Sequence, residues 1–231
     1  MTTIALNLQA VRGRIERAAS ESGRAASSVA LVAVSKTVPA SYIAEARRAG
    51  HTAFGESYVQ EAVKKITALG DKALEWHFIG PVQSNKTRAI AEHFQWVHAV
   101  DRDKIAARLS EARPSELPPL NVCIQVNVSG EESKSGVTPG GELALAKAIS
   151  ALPRLRLRGL MTIPEPTDDI GLQRKRYARL RELKDALCEA GYPLDTLSMG
   201  MSDDLEAAIA EGATMVRVGT AIFGPRERMG Q

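Results

Sequence analysis

The chain has 231 residues, 44% hydrophobic and 25% charged, a balance that argues against a disordered chain and suits a globular protein. A net charge of +3, with acids and bases interspersed, is too weak and too mixed to point to nucleic acid. Cys123 and Cys188 form neither a disulfide framework nor a metal-ligand spacing, so a reducing compartment and no metal are expected. The opening MTTIALNLQAVRGR lacks a signal-peptide layout, and no apolar run approaches the roughly 18 residues of a membrane helix. The expectation is a soluble cytoplasmic protein.

Ile4, Leu8, Val11 and Ile15 recur at helical spacing and predict an amphipathic first helix. An alternation follows. Apolar, β-branched runs predict strands over 29–36, 51–56, 76–82, 95–101, 120–129, 155–163, 196–202 and 214–224. Charged amphipathic stretches predict helices over 41–49, 58–69, 86–93, 104–112, 142–151, 173–190 and 204–211. Strict alternation implies parallel strands with crossover helices. Eight units favour a closed (β/α)8 TIM barrel with an extra N-terminal helix. An open doubly wound sheet is the competing architecture, and no G-x-G-x-x-G supports a dinucleotide fold. RPSELPP at 113–119 reads as a loop rather than a linker, so residues 1–231 are expected to be a single domain. Long polar loops at 129–141 and 164–171 follow predicted strand C-termini, the face that carries active sites in such barrels.

Lys36 ends the first predicted strand, on the face of Val32 and Val34. A desolvated lysine sheds its charge more readily and becomes a nucleophile toward carbonyl compounds. The alternative is a lysine that snorkels to solvent. Ser202 closes the seventh predicted strand before a helical pattern, where it can cap a helix whose N-terminus suits a phosphate. After the eighth strand, Gly219 allows close backbone approach and Thr220 offers a hydroxyl, and barrels often bind phosphate in this region. The alternative is that Ser202 only caps and Gly219 only turns. Arg217 lies inside an apolar strand and needs an acceptor, either a carboxylate or a ligand's ring nitrogen. Amine, phosphate site and inward arginine together match pyridoxal 5'-phosphate, PLP. Glu56 and Ser57 follow the second strand, and Asp101 ends the fourth. His77 and His98 read as hydrogen-bonded core residues, and RKRYARLRELK at 174–184 as a solvated face.

Seven stretches resemble one family, in its order and along nearly the whole chain. They are AVSKTVP, FGESYVQE, WHFIGPVQSNK, HAVDR, QVNVSGEESKSG, GLMTI and LSMGMSDDLEAAIAEGATMVRVGTAIFG. The family is that of the pyridoxal phosphate homeostasis proteins, the YggS/PROSC group. The resemblance implies a single barrel similar to the N-terminal domain of alanine racemase. It implies PLP held as an aldimine on Lys36, and a role in intracellular PLP (vitamin B6) and amino-acid homeostasis by binding or delivering PLP rather than by turnover. By the same resemblance, Ser202, Gly219 and Thr220 match the phosphate-contacting positions, and Arg217 matches the arginine near the pyridine nitrogen. Ser57 stands where the family usually has asparagine, with a shorter side chain and fewer donors. Full alanine racemases continue into a β-domain that supplies a tyrosine from the partner subunit, and a chain ending at Gln231 is expected to lack it. Two-sided racemisation needs a second acid/base beside Lys36, so an efficient racemase is not expected. A weak PLP-dependent racemase or related enzyme, with Lys36 as its catalytic group, is one alternative. A PLP-independent barrel enzyme whose Lys36 forms an imine with a phosphorylated substrate is another. The expected partners are PLP and PLP-dependent apo-enzymes as candidate recipients, with no nucleic acid and no membrane, and the expected state is a monomer.

Overall fold

The computed structural model of the chain describes residues 3–131 and 135–225. Its strands are β1 (Ala30–Val34), β2 (Ala53–Glu56), β3 (Glu75–Phe78), β4 (Trp96–Val100), β5 (Leu120–Gln125), β6 (Leu155–Met161), β7 (Thr196–Ser198) and β8 (Met215–Val218). They pair in parallel in sequence order, and β8 returns to β1 to close the barrel. Seven crossover helices alternate with them: α2 (Ala40–Arg48), α3 (Val59–Leu69), α4 (Thr87–His93), α5 (Asp103–Ala112), α6 (Glu142–Ser150), α7 (Ile170–Glu189) and α8 (Leu205–Ala210). α1 (Thr3–Glu21) precedes β1, and a single turn, α9 (Thr220–Phe223), follows β8. The (β/α)8 expectation and the extra first helix hold. Among the described residues, no helix is long and apolar enough to cross a membrane.

Alternation along each strand divides the core in two. Val32, Trp96, Cys123, Met161 and Met215 cluster inside the barrel. Ala33, Phe54, Val97, Val122, Leu160 and Val216 belong to the larger layer beneath the helices. Close packing leaves little slack at two strand glycines. A Cβ on Gly55 would lie 3.0 Å from the Val32 side chain inside the barrel. A Cβ on Gly159 would lie 1.8 Å from the Thr196 carbonyl, so β6 and β7 approach as they do only with glycine there.

α1 buries Ile4, Leu8, Val11 and Ile15, the four residues that predict it. It packs on α2, α8 and α9. Asn7 donates to the Ile222 carbonyl at 2.8 Å, and Arg14 pairs with Glu206 and donates to the Ser202 carbonyl at 2.9 Å. The extra helix therefore ties down the loops beyond β7 and β8.

Seven of the eight strands are shorter at their C-terminal ends than predicted, and only β2 stops where expected. β1 stops at Val34, β7 at Ser198 and β8 at Val218, and residues 220–223 are helical. The overrun has one cause. At the mouth the chain leaves the hydrogen-bonded ladder while its apolar side chains stay buried, as Met199 and Ile222 do. The basic run on α7 is also not simply solvated. Arg174 and Arg181 pair with Glu211, Arg176 pairs with Glu165, and Tyr177 is fully buried. In the predicted 129–141 loop, residues 132–134 lie outside the described residues.

Candidate functional site

A cavity of about 190 Å³ opens at the C-terminal ends of the strands, bounded in part by Lys36, Ser57, Ser202, Arg217, Gly219 and Thr220. All six predicted site residues meet on this one wall. A groove of about 480 Å³ adjoins it and shares Lys36, Ser57, Ile79 and Ile163.

Lys36 is half-buried and sits in the turn after β1, held by a polar clamp. Lys65 on α3 donates to the Ser35 carbonyl at 2.7 Å, pairs with Glu56 at 2.9 Å and also pairs with Glu61. Ser35 donates its hydroxyl to Glu56 at 2.7 Å, and Glu61 accepts the Thr37 amide at 2.6 Å. These bonds hold Thr37 at a φ of 65°, a left-handed conformation that costs a non-glycine residue about 1 kcal/mol. Burial pushes the Glu56 carboxyl up, against the opposing pull of Lys65 and Ser35. Sequence reasoning missed Lys65 and Glu61. The available signal was spacing: Lys65 falls on the buried face with Val59 and Ala62, and Glu61 lies four residues before it.

On the opposite rim, Ser202 neither ends a strand nor caps α8. It lies in a turn, and the cap position is Asp204. The longer reach of the aspartate explains this correction. One carboxylate oxygen of Asp204 accepts the Met201 amide at 2.6 Å and the other accepts the Tyr177 hydroxyl at 2.7 Å, so the turn closes around Asp204 and leaves Ser202 on the cavity wall. Gly219 packs against β1, where a Cβ would sit 3.2 Å from the Val34 carbonyl. Thr220 opens α9 directly after it.

Arg217 is 3% exposed. It donates to Ser198 Oγ at 2.6 Å and to the Thr162 carbonyl at 2.8 Å. Its acceptors among the described residues are thus neutral, not the carboxylate of the structural alternative. Burial lowers its pKa, while Tyr177 and Asp204 oppose this, and a guanidinium remains charged. Two bonds leave donor capacity at the cavity wall. His77 and His98 are buried and hydrogen-bonded, as read from sequence, and His98 reaches Ser198 at 2.7 Å. Ser198 was not singled out, because a serine inside a short strand carries no distinguishing signal.

The wall offers a primary amine, a guanidinium, the three hydroxyls of Ser57, Ser202 and Thr220, and the backbone of Gly219. That donor set suits in kind a ligand carrying an aldehyde, a ring nitrogen and a phosphate. The barrel and its mouth define a class. The family model described as alanine racemase, N-terminal domain, matches residues 6–227. Alanine racemase from Corynebacterium glutamicum shares the fold at a TM-score of 0.70 and 20% identity, over 96% of this chain and 60% of that one. Similarity to a narrower group is much higher. The pyridoxal phosphate homeostasis protein of Pseudomonas aeruginosa is 63% identical over 227 residues, 98% of this chain and 97% of the relative. That of Escherichia coli is 56% identical over 231 residues, 98% of each. PipY from Synechococcus elongatus, solved with PLP bound, superposes at a TM-score of 0.83 with 37% identity over 96% of this chain and all of that one. The chain belongs to the pyridoxal phosphate homeostasis protein family.

Proposed function

We propose that this protein binds PLP and serves intracellular PLP and amino-acid homeostasis, holding the cofactor covalently through Lys36. One observation carries the reading. Lys36, Ser57, Ser202, Arg217, Gly219 and Thr220, up to 184 positions apart in the chain, bound a single cavity. In this reading Lys36 supplies the amine that joins the cofactor's aldehyde. Ser202, the Gly219 backbone and the Thr220 hydroxyl hold its phosphate. Arg217 donates toward the ring nitrogen, and Ser57, like Lys36, bounds both this cavity and the adjoining groove. When bound, PLP supplies an electrophilic aldehyde and a conjugated ring that can accept electrons.

The cavity favours holding over turnover. Racemisation needs an acid/base on each side of the substrate. Besides Lys36, the carboxyl or amine groups on the wall, among the described residues, reduce to the exposed Asp203. An arginine facing the ring nitrogen also disfavours its protonation and so weakens the ring as an electron sink. The reading includes a single domain over 1–231, a cytoplasmic monomer, and apo-enzymes as candidate recipients of the cofactor.

The test is an absorption spectrum of the purified protein saturated with PLP, before and after borohydride, followed by peptide mapping. A visible band that Lys36→Ala abolishes, with the reduced adduct mapped to Lys36, is expected. No band in the unmodified protein, or an adduct mapped elsewhere, refutes the reading. Product accumulating in a broad amino-acid screen would instead favour the enzyme alternative.

A further inference from the structure

We propose that Glu75, His77, His98 and Ser198 form a buried chain of positioning residues that locks Arg217 as a one-way hydrogen-bond donor and keeps a bound pyridine nitrogen unprotonated. The cofactor half of this inference rests on the reading that Arg217 faces that nitrogen.

The chain crosses the inside of the barrel. It begins at Glu75, the first residue of β3, whose side chain is 49% exposed at the N-terminal rim. Glu75 meets His77 Nε2 at 2.8 Å. His77 Nδ1 meets His98 Nε2 on β4 at 3.0 Å. His98 Nδ1 reaches across to Ser198 Oγ on β7 at 2.7 Å, and Ser198 Oγ accepts from Arg217 on β8 at 2.6 Å. His77, His98 and Ser198 are all fully buried, so water cannot complete a broken link.

The two ends dictate the direction of every bond between them. A guanidinium only donates, so Ser198 Oγ accepts from Arg217, and with Glu75 ionised and both imidazoles neutral the serine turns its own proton toward His98 Nδ1. His98 Nδ1 is then an acceptor, and its proton lies on Nε2, directed at His77 Nδ1. His77 in turn carries its proton on Nε2 and donates to Glu75, which a carboxylate can only accept. Each step is satisfied with Arg217 charged, both imidazoles neutral and Glu75 ionised. Burial lowers the pKa of both histidines, with His77 and Arg217 adding to the effect at His98 and Glu75 opposing it at His77. The bond from His77 holds the Glu75 carboxyl down. The other charged or titratable neighbours sit at the two ends. Arg158, over the Trp96 ring at 4.7 Å and paired with Asp195, acts on Glu75, and His51 lies near His77. Tyr177, Asp204 and Cys123 act on Arg217.

A protonated His77 would reverse the chain. It would donate from Nδ1, His98 would carry its proton on Nδ1, and Ser198 would accept from both His98 and Arg217. The serine proton would then lack an acceptor in a fully buried site. The neutral tautomers are therefore part of what holds Arg217 in place.

The experiment uses the full chain with 15N-labelled histidine, free of PLP and then loaded with PLP labelled at the pyridine nitrogen. In the PLP-free protein, both His77 and His98 should carry their proton on Nε2 and stay neutral below the pH at which an ordinary histidine protonates. Glu75→Ala removes the terminal acceptor at a half-exposed position on the opposite end of the barrel from Lys36. It should mix the His98 tautomers, shift the pyridine nitrogen signal toward the protonated form, and speed PLP loss about threefold to tenfold, the weight of one hydrogen bond. Glu75→Gln keeps an acceptor for His77 and should restore all three readouts. Either histidine protonated on Nδ1 in the wild-type protein overturns the chain. Unchanged tautomers, ring signal and release rate in Glu75→Ala overturn its effect on Arg217. Tautomers as expected in a protein that takes up no PLP at Lys36 would instead refute the cofactor reading and with it the cofactor half of this inference, leaving the chain intact.

Discussion

Lys65→Met tests whether the clamp beneath Lys36 is energetically what its geometry implies. The Lys65 and Glu56 side chains are 8% and 0% exposed, and the substitution removes a cation that serves Ser35, Glu56 and Glu61 together. One oxygen of Glu56 already lacks a hydrogen-bond partner, so the variant leaves a buried carboxylate with only the Ser35 hydroxyl. Removing one member of a buried pair costs about 3–5 kcal/mol. That is a large fraction of the roughly 5–15 kcal/mol that stabilises a domain. The cost should depend on pH, and its sign follows from Glu56. Burial already raises its folded pKa, and Lys65 is the largest opposing influence. Without Lys65 the folded pKa rises further. Stability from a raised carboxyl is fully present below the unfolded pKa and is lost as pH rises through the folded pKa, so the variant loses more of it. The penalty is therefore expected to be larger at about pH 8 than at about pH 5. Urea unfolding of both proteins at both pH values reads it directly, and loss of bound PLP on dilution should be faster in the variant because the Ser35–Thr37 turn has lost its anchor. A penalty under about 1 kcal/mol at both pH values, or one that grows as pH falls, would refute the reasoning.

Gly80→Ala would place a Cβ 2.6 Å from the Ser57 carbonyl, and the displaced backbone should cost about 1–3 kcal/mol in thermal or urea unfolding while weakening PLP retention. Arg14→Ala cuts the link from α1 to Glu206 and to the Ser202 carbonyl. With side chains 29% and 50% exposed, that pair should cost no more than about 1 kcal/mol in unfolding, yet PLP release should quicken because Ser202 loses its tether. Burial lowers the His51 pKa from 6.5 to about 4, against the opposing bond to the Ala53 carbonyl. Between those values the unfolded chain binds a proton that the native chain does not, so stability falls as pH drops through the window, by about 3 kcal/mol in full. An NMR titration of His51 should show its midpoint near 4, and a midpoint near 6.5 would contradict this.

What could be read in the sequence, and what could not, divides along a physical line. The barrel was legible because β4, buried at every position, reads as an apolar run broken only by His98, and because helical periodicity returns after each such run. Lys36 and Arg217 were legible because each breaks an apolar stretch. Strand ends were not, because Met199 and Ile222 remain buried after the ladder has stopped, so hydrophobicity continues where hydrogen bonding does not. The partners of the polar residues were the least accessible. His98 finds Ser198 one hundred positions away, and Lys65 finds the Ser35 carbonyl thirty positions back. A buried polar side chain announces its own cost, but the group that offsets this cost lies on another strand and becomes its neighbour only when the sheet closes. Closure of β8 onto β1 thus does more than bury apolar surface. It brings His98 on β4 across the barrel to Ser198 on β7 and the amine after β1 to the rim beyond β7 and β8, so the cavity and the polar chain behind it both depend on barrel closure. Substitutions that loosen that closure should weaken cofactor retention before they unfold the barrel, since the larger core layer beneath the helices does not depend on those polar contacts.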